Sequence, residues 1–367
     1  MRANSVAGLL QELVRIPSVN PHGSPGVERP GEQACAEFVA DFLRDCGAEV
    51  ELREVAPGRP NVLGRFPTDG TGKKRVILAP HLDSVSVGGM VIDPFGGELR
   101  DGKIWGRGAT DTKGTMAAML WSLRSMRERI AGLGHEVWFV GLMGEEAGQE
   151  GAHAFVKQDG ADFALIGEPT GRDVVYTHKG ACWLKLRTTG RAVHASAPDQ
   201  GENAIYKMAD VVRCIRDEIA PGLAAKSHPV LGSPTISAGT IRGGTKTNIV
   251  PDFCELEVDA RTIPGQDSGE IVEMLRKASP GVETEVWESA ALDTDPGHPL
   301  VQLLLKNGSR LAGAPWFCDA AVFAKAGIPA VAAGPGFIAQ AHTNDEWISV
   351  AELELGVEFY RGFLEGL

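Results

Sequence analysis

Glu145 and Glu146 stand side by side at the end of VWFVGLMGEEAG, where a glycine hands an apolar run over to two carboxylates. Neighbouring carboxylates repel unless a cation neutralises them or one takes up a proton. The pair therefore asks for a metal, with one carboxylate left to act as a base. An isolated Glu-Glu would read first as a solvated acidic turn. The rest of the chain supplies company for it: His81 and Asp83 follow VILAP, Asp111 follows GRGAT, Glu168 follows ALIG, and His342 follows IPAVAAGPG. Each alone has a bland reading, a satisfied histidine, a helix cap at Asp111 or a loop residue at Glu168. Together they are two imidazoles and several carboxylates with no thiolate, a donor set for zinc, cobalt or manganese. The supply exceeds what one tetrahedral ion needs, and a pair of ions bridged by one carboxylate would use it all.

Each of these candidates closes a buried strand or a glycine loop. Apolar runs such as VILA, VWFV, FALI and the stretch 329–332 have no polar face, which suits strands of a parallel sheet covered on both sides. Parallel strands bring their carboxyl ends to one crevice, so residues distant in sequence converge there. Helical spacing predicts helices over 6–16, 35–43, 115–130 and 299–311, with a closing helix from 351. Alternation predicts a strand over 48–55. Residues 21–30 read as loop, and GGELRDGKIWGRGATDTKG as a hairpin or loop.

Between 174 and 295 the pattern changes to strand, helix, strand, strand, helix, strand, with strands that alternate apolar and polar residues. One polar face means a sheet covered on one side, and the βαββαβ order is the ferredoxin-like arrangement. The expected organisation is an α/β catalytic domain over 1–173 and 296–367, with a small domain inserted at 174–295.

The 367 residues suffice for two domains, and 43% hydrophobic with 23% charged residues is an ordinary globular composition. A net charge of -12 argues against nucleic acid. Cys35, Cys46, Cys182, Cys214, Cys254 and Cys318 form neither a zinc ribbon nor a disulfide framework. With no secretory signal and no membrane-length apolar segment in the sequence, a cytoplasmic protein is expected.

The segments HLDSV, DPFGGELRDGKIWGRGATDTKG, GEEAG, GEPT, GRAVHASAPDQGENAI, NIVPD with DAR, and AQAHTNDEW resemble those of the acetylornithine deacetylase and succinyl-diaminopimelate desuccinylase family. This is the di-zinc aminoacylase and carboxypeptidase group of amidohydrolases. The resemblance covers nearly the whole chain. It implies a doubly wound, mostly parallel catalytic sheet interrupted by a ferredoxin-like lid and dimerisation domain, with two Zn2+ that Co2+ or Mn2+ could replace. His81 and Glu168 would hold one ion, Glu146 and His342 the other, with Asp111 bridging. Asp83 would hydrogen-bond the second nitrogen of His81, Glu145 would be the general base, and the Asp111–Thr112 peptide would be cis. In the lid, His194 would reach across a homodimer toward the partner's oxyanion, while Asn248 and Arg261 would bind the substrate carboxylate. Gly336, in Gly334-Pro335-Gly336, would lay backbone near the substrate. From spacing alone His194 reads as a surface loop residue, and Arg261 as a partner of Glu257 or Asp259.

The expected function is metal-dependent hydrolysis of an N-acyl amino acid, a small-molecule substrate, most like that of acetylornithine deacetylase. The alternatives on the same scaffold are succinyl-diaminopimelate desuccinylase and a carboxypeptidase or dipeptidase. A non-catalytic metal-binding scaffold would lack the base or a ligand, and all are present. A nucleotide-binding protein is excluded, because GRGATDTKG lacks phosphate-loop spacing and Asp111 would repel phosphate.

Overall fold

Runs of large apolar residues with no polar side to show to water become buried strands, and four of them form the parallel core of the main sheet. The computed structural model describes residues 3–22, 31–306 and 308–367, so most of the loop expected at 21–30 lies outside the described residues. Glu136–Gly141, Arg75–Pro80, Phe163–Gly167 and Ala330–Ala332 pair in that spatial order, all parallel. Arg59–Arg65 and Glu49–Ala56 extend the edge antiparallel. Val76, Leu78, Phe139, Phe163, Leu165 and Val331 share one core with helices Val6–Val14, Gln33–Asp45, Lys113–Met126 and Val350–Glu365. Burying one such side chain contributes about 1.5–3 kcal/mol. Helix Ala320–Lys325 packs on Phe163–Gly167 and Ala330–Ala332, and helix Glu150–Gln158 packs against it through Phe155 and Phe323.

The chain divides into two compact units. The larger is Met1–Tyr176, Thr294–Ala312 and Cys318–Leu367; the smaller is Thr177–Asp293 with Gly313–Phe317. The short return of Gly313–Phe317 to the smaller unit has no counterpart in the sequence pattern.

In the smaller unit the strands lie in the order Thr235–Gly243, Phe253–Thr262, Gly180–Thr189, Glu283–Ser289, all antiparallel. Helices Ala204–Cys214 and Ser268–Ala278 follow the first and third strands in sequence, which gives the ferredoxin-like topology. Cys182, Leu184, Leu186, Leu256 and Val258 form its core. The intervening Trp183, Lys185, Glu257 and Asp259 line the opposite face, where Trp183 stacks on Trp287 at 4.3 Å.

One expected helix is shorter than its pattern. Pro299–Leu305 is helical, but Leu311–Ala314 is a strand. Gly308, at a φ of 84°, takes the left-handed conformation that stops the turn. Strand Arg59–Arg65 and helices Glu150–Gln158 and Ala320–Lys325 were not expected from periodicity.

Candidate metal centre

The carboxyl ends of the parallel strands deliver the donors. Arg75–Pro80 runs straight into His81, which bridges to Leu142 beyond the end of Glu136–Gly141. Gly144, at a φ of 77°, then turns the chain into the short 3-10 segment Glu145–Ala147. That left-handed conformation strains any residue with a Cβ, which favours glycine here. Glu168 follows Phe163–Gly167 directly. Asp111 precedes helix Lys113–Met126 across a cis Asp111–Thr112 peptide. His342 sits at a φ of 62° in the loop before Trp347–Ser349, a left-handed conformation uncommon for a residue other than glycine.

Two donor groups result. His81, Asp111 and Glu168 form one; Asp111, Glu146 and His342 form the other, each with ligand atoms within 4.8 Å of one another. Asp111 belongs to both. Its Oδ1 is 3.0 Å from His81 Nε2, and its Oδ2 is 3.3 Å from His342 Nε2. His342 Nε2 is also 3.1 Å from Glu146 Oε2. Glu145 is buried and belongs to neither group.

Asp83 meets His81 Nδ1 with both its carboxylate and its main chain. His81 Nδ1 lies 3.0 Å from the main-chain carbonyl of Asp83 and 3.4 Å from its Oδ1, so the nearer acceptor is backbone. The same carboxylate also accepts the N–H groups of Glu145 and Glu146, both at 3.0 Å, and the amide of Asn20 at 2.8 Å. It thus clamps the Glu-Glu turn to the His81 strand end.

The electrostatics show a site crowded with acid. Burial, then the charge of Glu168, pushes the Glu145 carboxyl well above its usual range. Burial, then Asp111, does the same to Glu168 and takes Glu146 up to about 7. Burial also raises Asp319, to about 7. Asp111 goes the other way, because hydrogen bonds from His342 and His81 outweigh its burial. His342 is raised to about 10 by Asp111 and Glu146. Among the described residues Glu168 Oε1 is buried without a hydrogen-bond partner, an orphan acceptor of the kind a cation satisfies. The donor types, the shared carboxylate and this orphan oxygen fit a pair of zinc-like ions.

The metal-free protein is accordingly expected to lose stability as the pH rises. Glu145, Glu146 and Glu168 have folded-state pKa values raised above 4.5, so their contribution is full below that value. It is lost as the pH climbs through the raised values, about 7 for Glu146. His342 acts in the same sense, contributing fully below 6.5 and losing it toward about 10. Thermal melting of chelator-stripped protein from pH 5 to 9 should show a falling Tm. Zinc at a hundred times its Kd should add about 2.7 kcal/mol. A Tm that rises over that range would contradict this account.

The other expected site residues are described within their own units. In the smaller unit His194 pairs with Ile249, and Ala195 N donates to Asn248 O at 3.0 Å, so His194 and Asn248 lie on adjoining segments. His194 Nδ1 is 2.7 Å from Ser196 Oγ. Arg261 donates to both carboxylate oxygens of Asp259 at 2.8 Å and lies over Phe317. In the larger unit Gly336 packs against Thr110 and Pro169, and its carbonyl accepts Gly171 N at 2.6 Å. That carbonyl is engaged within the fold.

Sequence reading missed several residues here. Asn20 holds Asp83, and Gln149 donates to the buried Asp319 at 3.2 Å. Glu346, fully buried, accepts from Arg107 Nη1 and from the main-chain N–H groups of Gly108, Thr110 and Asp111. Glu346 comes just before strand Trp347–Ser349, two residues ahead of the buried Ile348.

This fold and donor set match a known class. Residues 77–366 match peptidase family M20/M25/M40, and the chain belongs to that family of metal-dependent hydrolases. Acetylornithine deacetylase of Proteus mirabilis (strain HI4320) is 29% identical across 94% of this chain and 92% of its own length. Among solved structures, the M20 family metallo-carboxypeptidase of Sulfolobus solfataricus superposes with a TM-score of 0.82 at 19% identity, covering 99% of both chains. Human carnosine dipeptidase 1 gives 0.75 at 16%, over 98% of this chain and 96% of that one. A dinuclear metal-binding peptidase of family M20 from Bacillus subtilis gives 0.69 at 13%, over 98% and 96%. At these identities the solved structures share the fold. No helix among the described residues is long and apolar enough to cross a membrane.

Proposed function

We propose that the protein hydrolyses the N-acyl amide bond of an amino acid, with N-acetylornithine as substrate. The observation that carries this reading is Asp111, which presents one oxygen to each of two histidine-containing donor groups while Glu145 stays outside both. The 29% identity to an acetylornithine deacetylase favours deacylation of that substrate over cleavage of a peptide.

His81 and Glu168 would hold one Zn2+, Glu146 and His342 the other, and Asp111 both; Co2+ or Mn2+ could take their place. When bound, the pair supplies Lewis acidity, polarising a carbonyl and lowering the pKa of water toward about 7. Glu145 takes the proton of the attacking water as its oxygen adds to the acyl carbon. It returns that proton to the amine nitrogen as the C–N bond breaks. Burial keeps Glu145 away from bulk solvent, so its proton goes to the leaving group and not to water. Asp83 keeps it aimed by holding its N–H.

In the smaller unit, we assign His194 to the oxyanion and Asn248 with Arg261 to the substrate carboxylate. Arg261 would exchange Asp259 for that carboxylate. His194 acting across a homodimer fits the long exposed edge strand Thr235–Gly243, which offers unpaired backbone to a second copy. Six free, buried cysteines suit a reducing cytoplasm.

The test is a panel of N-acetylornithine, N-succinyl-diaminopimelate, N-acyl-glutamate and dipeptides, assayed on zinc-loaded protein with light scattering of the same sample. N-acetylornithine should give the highest kcat/KM, and the particle should have twice the chain mass. Fastest turnover of the succinyl compound or a dipeptide would move the protein to that activity. A fully active monomer would remove the trans role of His194.

A further inference from the structure

Glu346 carries a fully buried carboxylate beside the donors that belongs to neither donor group, and its four bonds all point at one turn. Oε1 accepts from Thr110 N at 2.9 Å and Asp111 N at 3.0 Å; Oε2 accepts from Gly108 N at 3.0 Å and Arg107 Nη1 at 2.7 Å. Both oxygens are thus spent on the turn that presents Asp111, and none is left for an ion. The same residue's main chain takes part: Glu346 O accepts Gly106 N at 3.0 Å. Beyond it, Trp347 and Ile348 pair with Trp105 and Ile104, and Trp347 O accepts Thr110 Oγ1 at 2.7 Å. His342 lies four residues before Glu346 on this segment, and its Nε2 meets Asp111 Oδ2 at 3.3 Å.

We propose that Glu346 is a positioning residue that locks the Asp111 turn against the segment carrying His342, and so sets the spacing of two donors before any ion arrives. The physical reason lies in what Asp111 must do. A carboxylate shared by two ions has to present its two oxygens in fixed directions, yet it stands on a glycine-rich turn, GRGAT, with little stiffness of its own. Hydrogen bonds that successive N–H groups donate to a buried carboxylate supply that stiffness, and charge-assisted bonds are the stronger kind. Arg107, itself buried and donating to Ser86 O at 3.0 Å, balances the charge. The proposal rests on the metal reading above.

Glu346→Gln keeps the shape but turns an amide NH2 toward N–H donors on one edge. Glu346→Asp keeps the charge and shortens the reach, so the carboxylate cannot hold both edges. Either should weaken Zn2+ binding to stripped protein by roughly 10–100-fold, as loss of an orienting partner does. Either should also change the visible absorption of bound Co2+, which reports donor geometry and is read without any turnover. Two variants guard against one failing to fold. Folded variants with a lower Tm but wild-type affinities and an unchanged Co2+ spectrum would mean a merely structural role and overturn the proposal. Wild type binding no Zn2+ or Co2+ would instead overturn the metal reading itself.

Discussion

Replacing Glu145 by glutamine is expected to cut kcat by roughly 10²–10⁴-fold, the usual contribution of a positioned base, while two metal ions remain bound per chain. The two halves of this expectation come from separate observations. Glu145 lies outside both donor groups, so its loss removes no ligand. It is buried among other carboxylates, and burial, then the charge of Glu168, raises its pKa. Glutamine fills the same space without that charge, so the metal-free variant should melt above metal-free wild type at pH 8. KM should change little, because the proton transfer is realised in the transition state. The measurements are steady-state kinetics on N-acetylornithine, metal content after dialysis, and melting with chelator. Activity within tenfold of wild type would remove Glu145 from the base role. Loss of one metal would make it a ligand.

Why so much of this site could be read from sequence has a specific cause. In a parallel sheet a strand's carboxyl end is a fixed address, and VILAP-His81, VWFVGLMG-Glu145 and ALIG-Glu168 all announce such an end by apolar run and abrupt polar residue. His342 and Asp111 are announced less well, because each stands on a loop several residues from its strand. Resemblance to a family, not periodicity, brought Asp111 to the centre. What escaped is held by side chains acting on backbone. Asp83 clamps the N–H groups of Glu145 and Glu146, and Glu346 those of Thr110 and Asp111. Hydrogen bonds of that kind leave no spacing pattern, since any turn exposes N–H groups. The helix over 299–311 was overextended for the opposite reason: apolar residues kept helical phase through LVQLLLK and on to Leu311, and the break fell at Gly308, inside the pattern.

Asp111→Asn is expected to reduce bound metal from two ions to at most one and to lower kcat/KM by on the order of 10³-fold or more, a loss of several kcal/mol of transition-state stabilisation. The argument turns on having two oxygens. Oδ1 faces His81 Nε2 at 3.0 Å and Oδ2 faces His342 Nε2 at 3.3 Å, so each donor group draws on a different atom of one residue. An amide has one oxygen and one NH2. Whichever histidine meets the NH2 is either opposed donor to donor, if protonated, or has its lone pair occupied, if neutral. In both cases that group loses the Asp111 oxygen, and the histidine is left repelled or with its lone pair engaged. The change is local, because the N–H of residue 111 still reaches Glu346, so the fold should survive and circular dichroism should match wild type. The raised pKa of His342, which depends first on Asp111, should fall, and NMR titration of its ring would follow that. Two ions held at wild-type affinity in Asp111→Asn would show that the donor groups do not share this carboxylate, and the binuclear reading would fail with it.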